Sequence, residues 1–202
     1  MSPLDLRTRL QDRVMRFMDE MRPATVELAE GEVLEVGFGT GLNLSHYPPS
    51  VKSLAALDPL EGLAHRIGGR IAAAPFPVER FAQRADQKLP FEDARFDCVV
   101  TTWTLCSIPR PVEALREMRR VLRPGGRYLF VEHGRSERPD TARWQDRLNP
   151  AWRRLADGCN MNRAIDRLVD EGGLEVVELD RFLARGPRVL AEMYRGVARR
   201  RG

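Results

Sequence analysis

The sequence predicts an α/β fold in which helices cover both faces of a mostly parallel sheet. Three observations carry that expectation. Short β-rich runs alternate with helical ones from residue 32 onward, a glycine cluster follows the first of those runs directly, and Pro and Gly punctuate the joins without any repeat or low-complexity linker. A chain of 202 residues, 43% hydrophobic and 31% charged, is sized for one domain around one core.

At the front, Leu6, Leu10, Val14, Phe17, Met18 and Met21 recur at helical spacing, predicting an amphipathic helix that Arg22-Pro23 ends. Residues 1–24 form that unit, whose stripe suits plain packing, a lid over a ligand, or a helix lying on a membrane surface. Residues 25–202 form the main domain. "EVLEVG" (32–37), "SLAALD" (53–58), "PVERFAQ" (77–83), "FDCVVTT" (96–102) and "GRYLFVEH" (126–133) read as strands one to five. "GLNLSHY", "LEGLAHRIGGRIAAA" and "PVEALREMRRVL" lie between them with helical spacing or composition. Pro48-Pro49 stops the first of these crossovers and "RPGG" (123–126) the last. "LEVVELDRFL" (174–183) and "VLAEMYRGVA" (189–198) supply two further strands, for seven in all. The stretch 135–166 is polar and strandless, and an insertion of that size in a compact domain tends to be functional.

The net charge of +4 is carried almost wholly by arginine, with Lys52 and Lys88 the only lysines. Sparse aromatic residues among those arginines favour solvated helix faces and a frayed basic tail, "RGVARRRG", over a nucleic-acid patch. An acidic lipid surface stays open as a weak partner. Cys98, Cys106 and Cys159 stand at unrelated spacings with no CxxC pair, which argues against zinc and for a reducing compartment. With no apolar signal segment or membrane span, the expected location is the cytoplasm.

Function gathers at "VLEVGFGTGLNLSHYPP" (33–49). An apolar strand running into Gly37, Gly39 and Gly41 presents bare backbone N–H groups at the carboxyl edge of a sheet. Asp58, ending the second strand, can accept both hydroxyls of a ribose. Glu35 would repel a pyrophosphate but hold the ammonium of an amino-acid-like ligand. That carboxylate, the GxGxG spacing and the lack of a Tyr-x-x-x-Lys pair count against a nicotinamide dinucleotide.

"LEVGFGTG", "LDP", "LPFEDARFDCVVTTWTL" and "LREMRRVLRPGGRYLFVEH" together resemble the motif series of the class I S-adenosylmethionine-dependent methyltransferases over about residues 30–135. "YPP" (47–49), "LCS" (105–107), "EH" (132–133) and "WQDRLNPAWRRLADGCNMNR" (144–163) are similar to the members that methylate small alkyl thiols. Those relatives carry an apolar membrane anchor where this chain has the amphipathic helix.

The resemblance implies a Rossmann-like fold, S-adenosyl-L-methionine as cofactor, S-adenosyl-L-homocysteine as product and a small-molecule acceptor. It places Gly37, Gly39, Thr40, Gly41 and Asn43 around the methionyl part, Glu35 at the amino group and Asp58 at the ribose. Leu57, Pro59 and Leu60 would flank the adenine. Ala85 stands where many relatives have an acidic residue, so Asp86 or backbone groups would read the adenine edge. Thr101 and Thr102 fall at the methionyl end or serve simply as strand residues. His133 is the candidate base for an acceptor thiol, with Asp157 second, and Glu132 faces the other way. Asp157, Cys159 and Asn160 of "DGCN" would line the acceptor pocket, and Trp103, Trp144 and Trp152 would either wall it or pack in the core. Cys106 either approaches the substrate or packs, Cys98 is core, His46 and His65 take no chemistry, and no metal is implied. A thiol acceptor leads; an aminolipid such as phosphatidylethanolamine, or cofactor binding without turnover, are the alternatives.

Overall fold

The structure, a computed structural model, describes residues 18–60 and 64–200. Its strands are β1 (Gly31–Val36), β2 (Val51–Leu57), β3 (Val78–Phe81), β4 (Phe96–Thr102), β5 (Leu122–His133), β6 (Leu174–Leu183) and β7 (Glu192–Arg200). They form one sheet in the order β3-β2-β1-β4-β5-β7-β6. The first five pair in parallel, whereas β7 runs antiparallel to both β5 and β6. Strand order reverses between β1 and β4. In an open α/β sheet such a switch leaves a crevice beyond the carboxyl ends of those strands, and the glycine loop opens there.

Helices α1 (Pro23–Val26), α2 (Ala64–Ala72), α3 (Pro111–Val121), α4 (Pro139–Leu155), α5 (Ile165–Glu171) and α6 (Arg188–Ala191) complete the described architecture. β1 shows why both faces are covered. Leu34 and Val36 join one apolar layer with Leu115 and Met118 of α3 and Val169 of α5, while Val33 joins the opposite layer with Val26 and Ile67. A strand buried on both faces reads as a continuous apolar run, and in "VLEV" only Glu35 breaks it.

Several expectations change. The glycine loop leads into only a short 3-10 turn, Leu44–His46, because positive φ at Gly39 and Gly41 and the prolines at 48 and 49 leave no room for a helix. The basic tail is not frayed: it is strand β7 as far as Arg200, with Arg195 paired to Asp180 at 2.5 Å and Arg200 donating to the Leu122 carbonyl at 2.8 Å. Residues 188–191 form the single turn α6 ahead of β7 rather than the strand's start. Leu6, Leu10, Val14 and Phe17 of the expected first helix lie outside the described residues. Met18 and Met21 pack against Trp103, Val131 and Met193.

The polar stretch 135–166 is organised by α4, which begins with Pro139 at its first turn, where the missing N–H costs nothing. A single side chain pins it. Gln145 is fully buried; its amide oxygen accepts from the Ser136 N–H at 2.9 Å, and its nitrogen donates to the carbonyls of Gly134 and Met161 at 2.9 Å and of Val189 at 3.1 Å. Four backbone groups from three segments thus depend on one amide. Replacing it by leucine leaves them buried and unpaired, so urea unfolding of Gln145→Leu is expected to show a loss on the order of 2–4 kcal/mol. An unchanged midpoint would mean that water substitutes for the side chain.

Candidate active site

β1 and β2 end side by side and deliver the glycine loop and Asp58 to the same cavity, which measures about 590 Å³. Gly37 has φ +80° and sits so close to Thr104 that a Cβ would lie 2.1 Å from its hydroxyl oxygen, so only glycine fits. Gly39 donates its N–H to Asp58 Oδ2 at 2.8 Å, and the Leu60 N–H donates to Oδ1 at 2.9 Å. These two bonds fix the carboxylate and leave one lone pair on each oxygen for vicinal hydroxyls. Gly37, Gly39, Thr40, Asp58, Pro59 and Leu60 all line the cavity.

A second carboxylate closes the other end. Glu35 is 1% exposed, with Oε1 accepting from Asn43 Nδ2 at 2.9 Å and Oε2 from the Tyr47 hydroxyl at 2.8 Å. Burial pushes its carboxyl up to about 7, against the opposing pull of Tyr47, Asn43 and Arg22. Arg22 is buried beside it, donating to Asn43 Oδ1 at 2.6 Å with its guanidinium 4.9 Å from the Trp103 ring centre. Arg22 and Glu35 both line the cavity. A cation and an anion therefore stand together where a zwitterionic amino acid can complement both. The Trp103 indole N–H, also on the wall, is buried with no hydrogen-bond partner among the described residues.

At the adenine end, Ala85 and Asp86 line the cavity, but the Asp86 carboxylate is already engaged. Arg84 donates to it at 3.0 and 2.9 Å and Arg110 at 3.3 Å, and the Arg84 bonds first of all hold its carboxyl down at about 2. The carboxylate expected to meet a ligand amine is thus already taken up by two arginines.

Other expected residues fall outside the cavity wall. Thr101 turns to the opposite face, sharing a 2.8 Å hydrogen bond with the Tyr128 hydroxyl; Thr102 lines the cavity instead. Gly41 serves packing, since a Cβ there would meet the Phe38 ring at 2.9 Å. Asn43 stands behind Glu35 rather than on the wall. Asn160 is taken up by backbone, donating to the carbonyls of Cys106 at 2.9 Å and Gly158 at 2.8 Å. His133 and Cys159 lie behind the wall with Nε2 and Sγ 2.9 Å apart, because the loop after α4 folds back onto the turn after β4. Trp144 is 54% exposed on the outer side of α4, Trp152 donates to Cys159 Sγ at 3.4 Å, and Cys98 is core. Asp157 and Trp103 do line the cavity, both at positive φ, +52° and +50°.

Arg22 and Tyr47 are absent from the sequence reading as cofactor-side groups. Their contacts reach across 21 and 12 residues, and no local spacing ties either to Glu35, although Tyr47 belongs to the "YPP" motif.

A methyltransferase-domain family model matches residues 34–130. Human thiol S-methyltransferase TMT1A is 36% identical over 155 residues, which span 75% of this chain and 63% of that protein's length. Phosphatidylethanolamine N-methyltransferase of Cereibacter sphaeroides is 32% identical over 156 residues, 77% of this chain and 75% of that one. The fold matches a geranyl diphosphate methyltransferase solved with S-adenosylmethionine, at a TM-score of 0.70 and 13% identity over 91% of this chain and 84% of the other. The glycine loop and the two carboxylates of the cavity accompany these matches: the chain belongs to the S-adenosylmethionine-dependent methyltransferases.

Proposed function

We propose that the protein transfers the methyl group of S-adenosylmethionine to the sulfur of a small apolar thiol. The observation that carries the cofactor half is one cavity with a buried cation–anion pair, Arg22 and Glu35, at one end and Asp58 at the other. Glu35 holds the ammonium, Arg22 the carboxylate, Gly37 and Gly39 the methionyl chain, and Asp58 the ribose hydroxyls. The bound cofactor supplies a sulfonium methyl group open to in-line attack. Alignment of the acceptor with that methyl contributes on the order of 7–11 kcal/mol to lowering the barrier.

The thiol half is supported by the human relative's name and by the motifs "LCS" and "DGCN" that surround the acceptor side. Asp157, the carboxylate on that side of the wall, replaces His133 as the group placed to take the thiol's proton. Acceptor choice is assigned to residues 1–24 and 135–166. Three unpaired cysteines suit a reducing, cytoplasmic setting, and no described helix is long and apolar enough to cross a membrane. The Cereibacter relative's name favours an aminolipid as the second reading.

Three outcomes are expected. Asp58→Ala removes two charge-assisted hydrogen bonds to the ribose and should weaken S-adenosylhomocysteine binding about 100-fold in calorimetry. Glu35 ionises near pH 7 in the free protein, so below that pH a proton must leave before the ligand ammonium is held. Affinity should therefore rise with pH up to about 7 and then level off, and Glu35→Gln should flatten the profile. Finally, labelled S-adenosylmethionine should mark alkyl thiols in a panel of thiols, amines and phosphatidylethanolamine vesicles. Label in the lipid alone would replace the thiol reading by the second one.

A further inference from the structure

Three soft ligands meet behind the acceptor wall. Cys106 lies in the turn after β4, His133 closes β5, and Cys159 follows α4; their Sγ and ring nitrogen atoms lie within 4.8 Å of one another. Cys106 and His133 are buried and Cys159 is half-buried. The cluster touches the cavity wall directly. Cys106 Sγ donates toward the Trp103 carbonyl at 3.6 Å and lies 3.5 Å from Ser107 Oγ, and both residues line the cavity. The loops that bring the ligands together are tied by Asn160 and by Arg163, whose guanidinium donates to the carbonyls of Leu105 and Ile108.

We propose that Cys106, His133 and Cys159 bind one soft divalent cation of the Zn²⁺ type, and that this cation holds the acceptor sulfur as a thiolate. Two thiolates and an imidazole are a donor set that zinc uses in catalytic sites, where three protein ligands leave the fourth position to substrate. Spacing hides the set in the sequence, because each ligand sits on a different segment and no CxxC pair announces it. His133 Nε2 and Cys159 Sγ stand 2.9 Å apart, whereas ligands on one tetrahedral zinc are about 3.5 Å apart, so the cation enters as the Cys159 side chain rotates away from the imidazole.

The inference rests on the thiol reading and adds the means of activation. A thiol with pKa near 8.5 is only a few per cent ionised at neutral pH, and a metal-bound thiol is deprotonated. An arriving R–S–H gives a sulfur lone pair to the cation and its proton, by way of Asp157, to water. The sulfur then forms the S–CH₃ bond as the methyl–sulfonium bond breaks, the electron pair of that bond staying on the cofactor sulfur. The thioether, a weaker ligand, departs; no oxidant or reductant is consumed.

Cobalt titration of the full chain, reduced and freed of metal by a chelator, tests this. Sulfur-to-cobalt charge-transfer absorption should saturate at one equivalent of Co²⁺, yield to one equivalent of Zn²⁺, and vanish in Cys106→Ser and Cys159→Ser while persisting in Cys98→Ala. Added alkyl thiol should intensify it. Unchanged S-adenosylhomocysteine affinity in the serine variants would show that they are folded. No charge-transfer band, or one that survives both serine substitutions, overturns the site; a band indifferent to alkyl thiol overturns its hold on the acceptor. Cofactor binding without cobalt binding sinks this inference alone, whereas cobalt binding without thiol methylation sinks the thiol reading and, with it, the cation's hold on the acceptor, leaving only a metal site.

Discussion

A carboxylate buried at the end of the first strand governs one end of the cavity. Removing a charged group from water costs several kcal/mol unless partners replace the lost hydration. Glu35 finds those partners in Asn43 and Tyr47, and Arg22 stands beside it. Two of the three lie in the stretch between the glycine loop and Pro48, and the third in the segment ahead of β1. Satisfying one side chain therefore sets the path of the chain from Gly37 to Tyr47 and seats residue 22 over the cavity. The raised pKa of its carboxyl in the free protein is the residue of that cost, which the proposed ligand ammonium would relieve.

The neighbouring part of the cavity is organised by the ends of β4 and β5. Glu132, fully buried in β5, accepts the N–H groups of Thr104 and Leu105 at 3.0 and 3.1 Å and so shapes the turn by which the chain leaves β4. That turn holds Trp103 at a positive φ, with its backbone N–H donated to the Val131 carbonyl at 2.8 Å. It also carries Thr104 against Gly37 and Cys106 against the wall. Adjacent residues at the end of β5 thus divide the labour: Glu132 fixes the turn and His133 meets the loop after α4. Backbone strain at Trp103 and Asp157 falls on the cavity wall, where over-determined surroundings can hold it.

Much of the sheet was legible because its strands are apolar on both faces and bounded by Gly and Pro. β1, β2 and β4 stand within about two residues of their expected positions. This part of the cavity wall was legible for a similar reason: Glu35, Gly37, Gly39 and Asp58 sit at strand ends, where position along the chain determines position in the crevice. Illegible features depend on long-range contact. Arg22 reaches its site only once α1 has packed, and the Arg110 pair with Asp86 joins segments that no motif links. Side-chain direction at the end of β4 was equally hidden, since only the pleat decides that Thr102 and not Thr101 faces the cavity. α4 was obscured by Pro150 and by its many arginines, and Gln145 gives no sign in the sequence that it holds three segments together.

The pairing of Glu35 with a ligand ammonium is tested most directly by calorimetry of S-adenosylhomocysteine against its analogue lacking the α-amino group, at a pH above 7. The expected result is that loss of the amino group weakens binding at least about tenfold, with Glu35 left buried and without its cation. Equal affinity for the two ligands would contradict the role assigned to Glu35 and, with it, the reason for the chain's path from Gly37 to Tyr47.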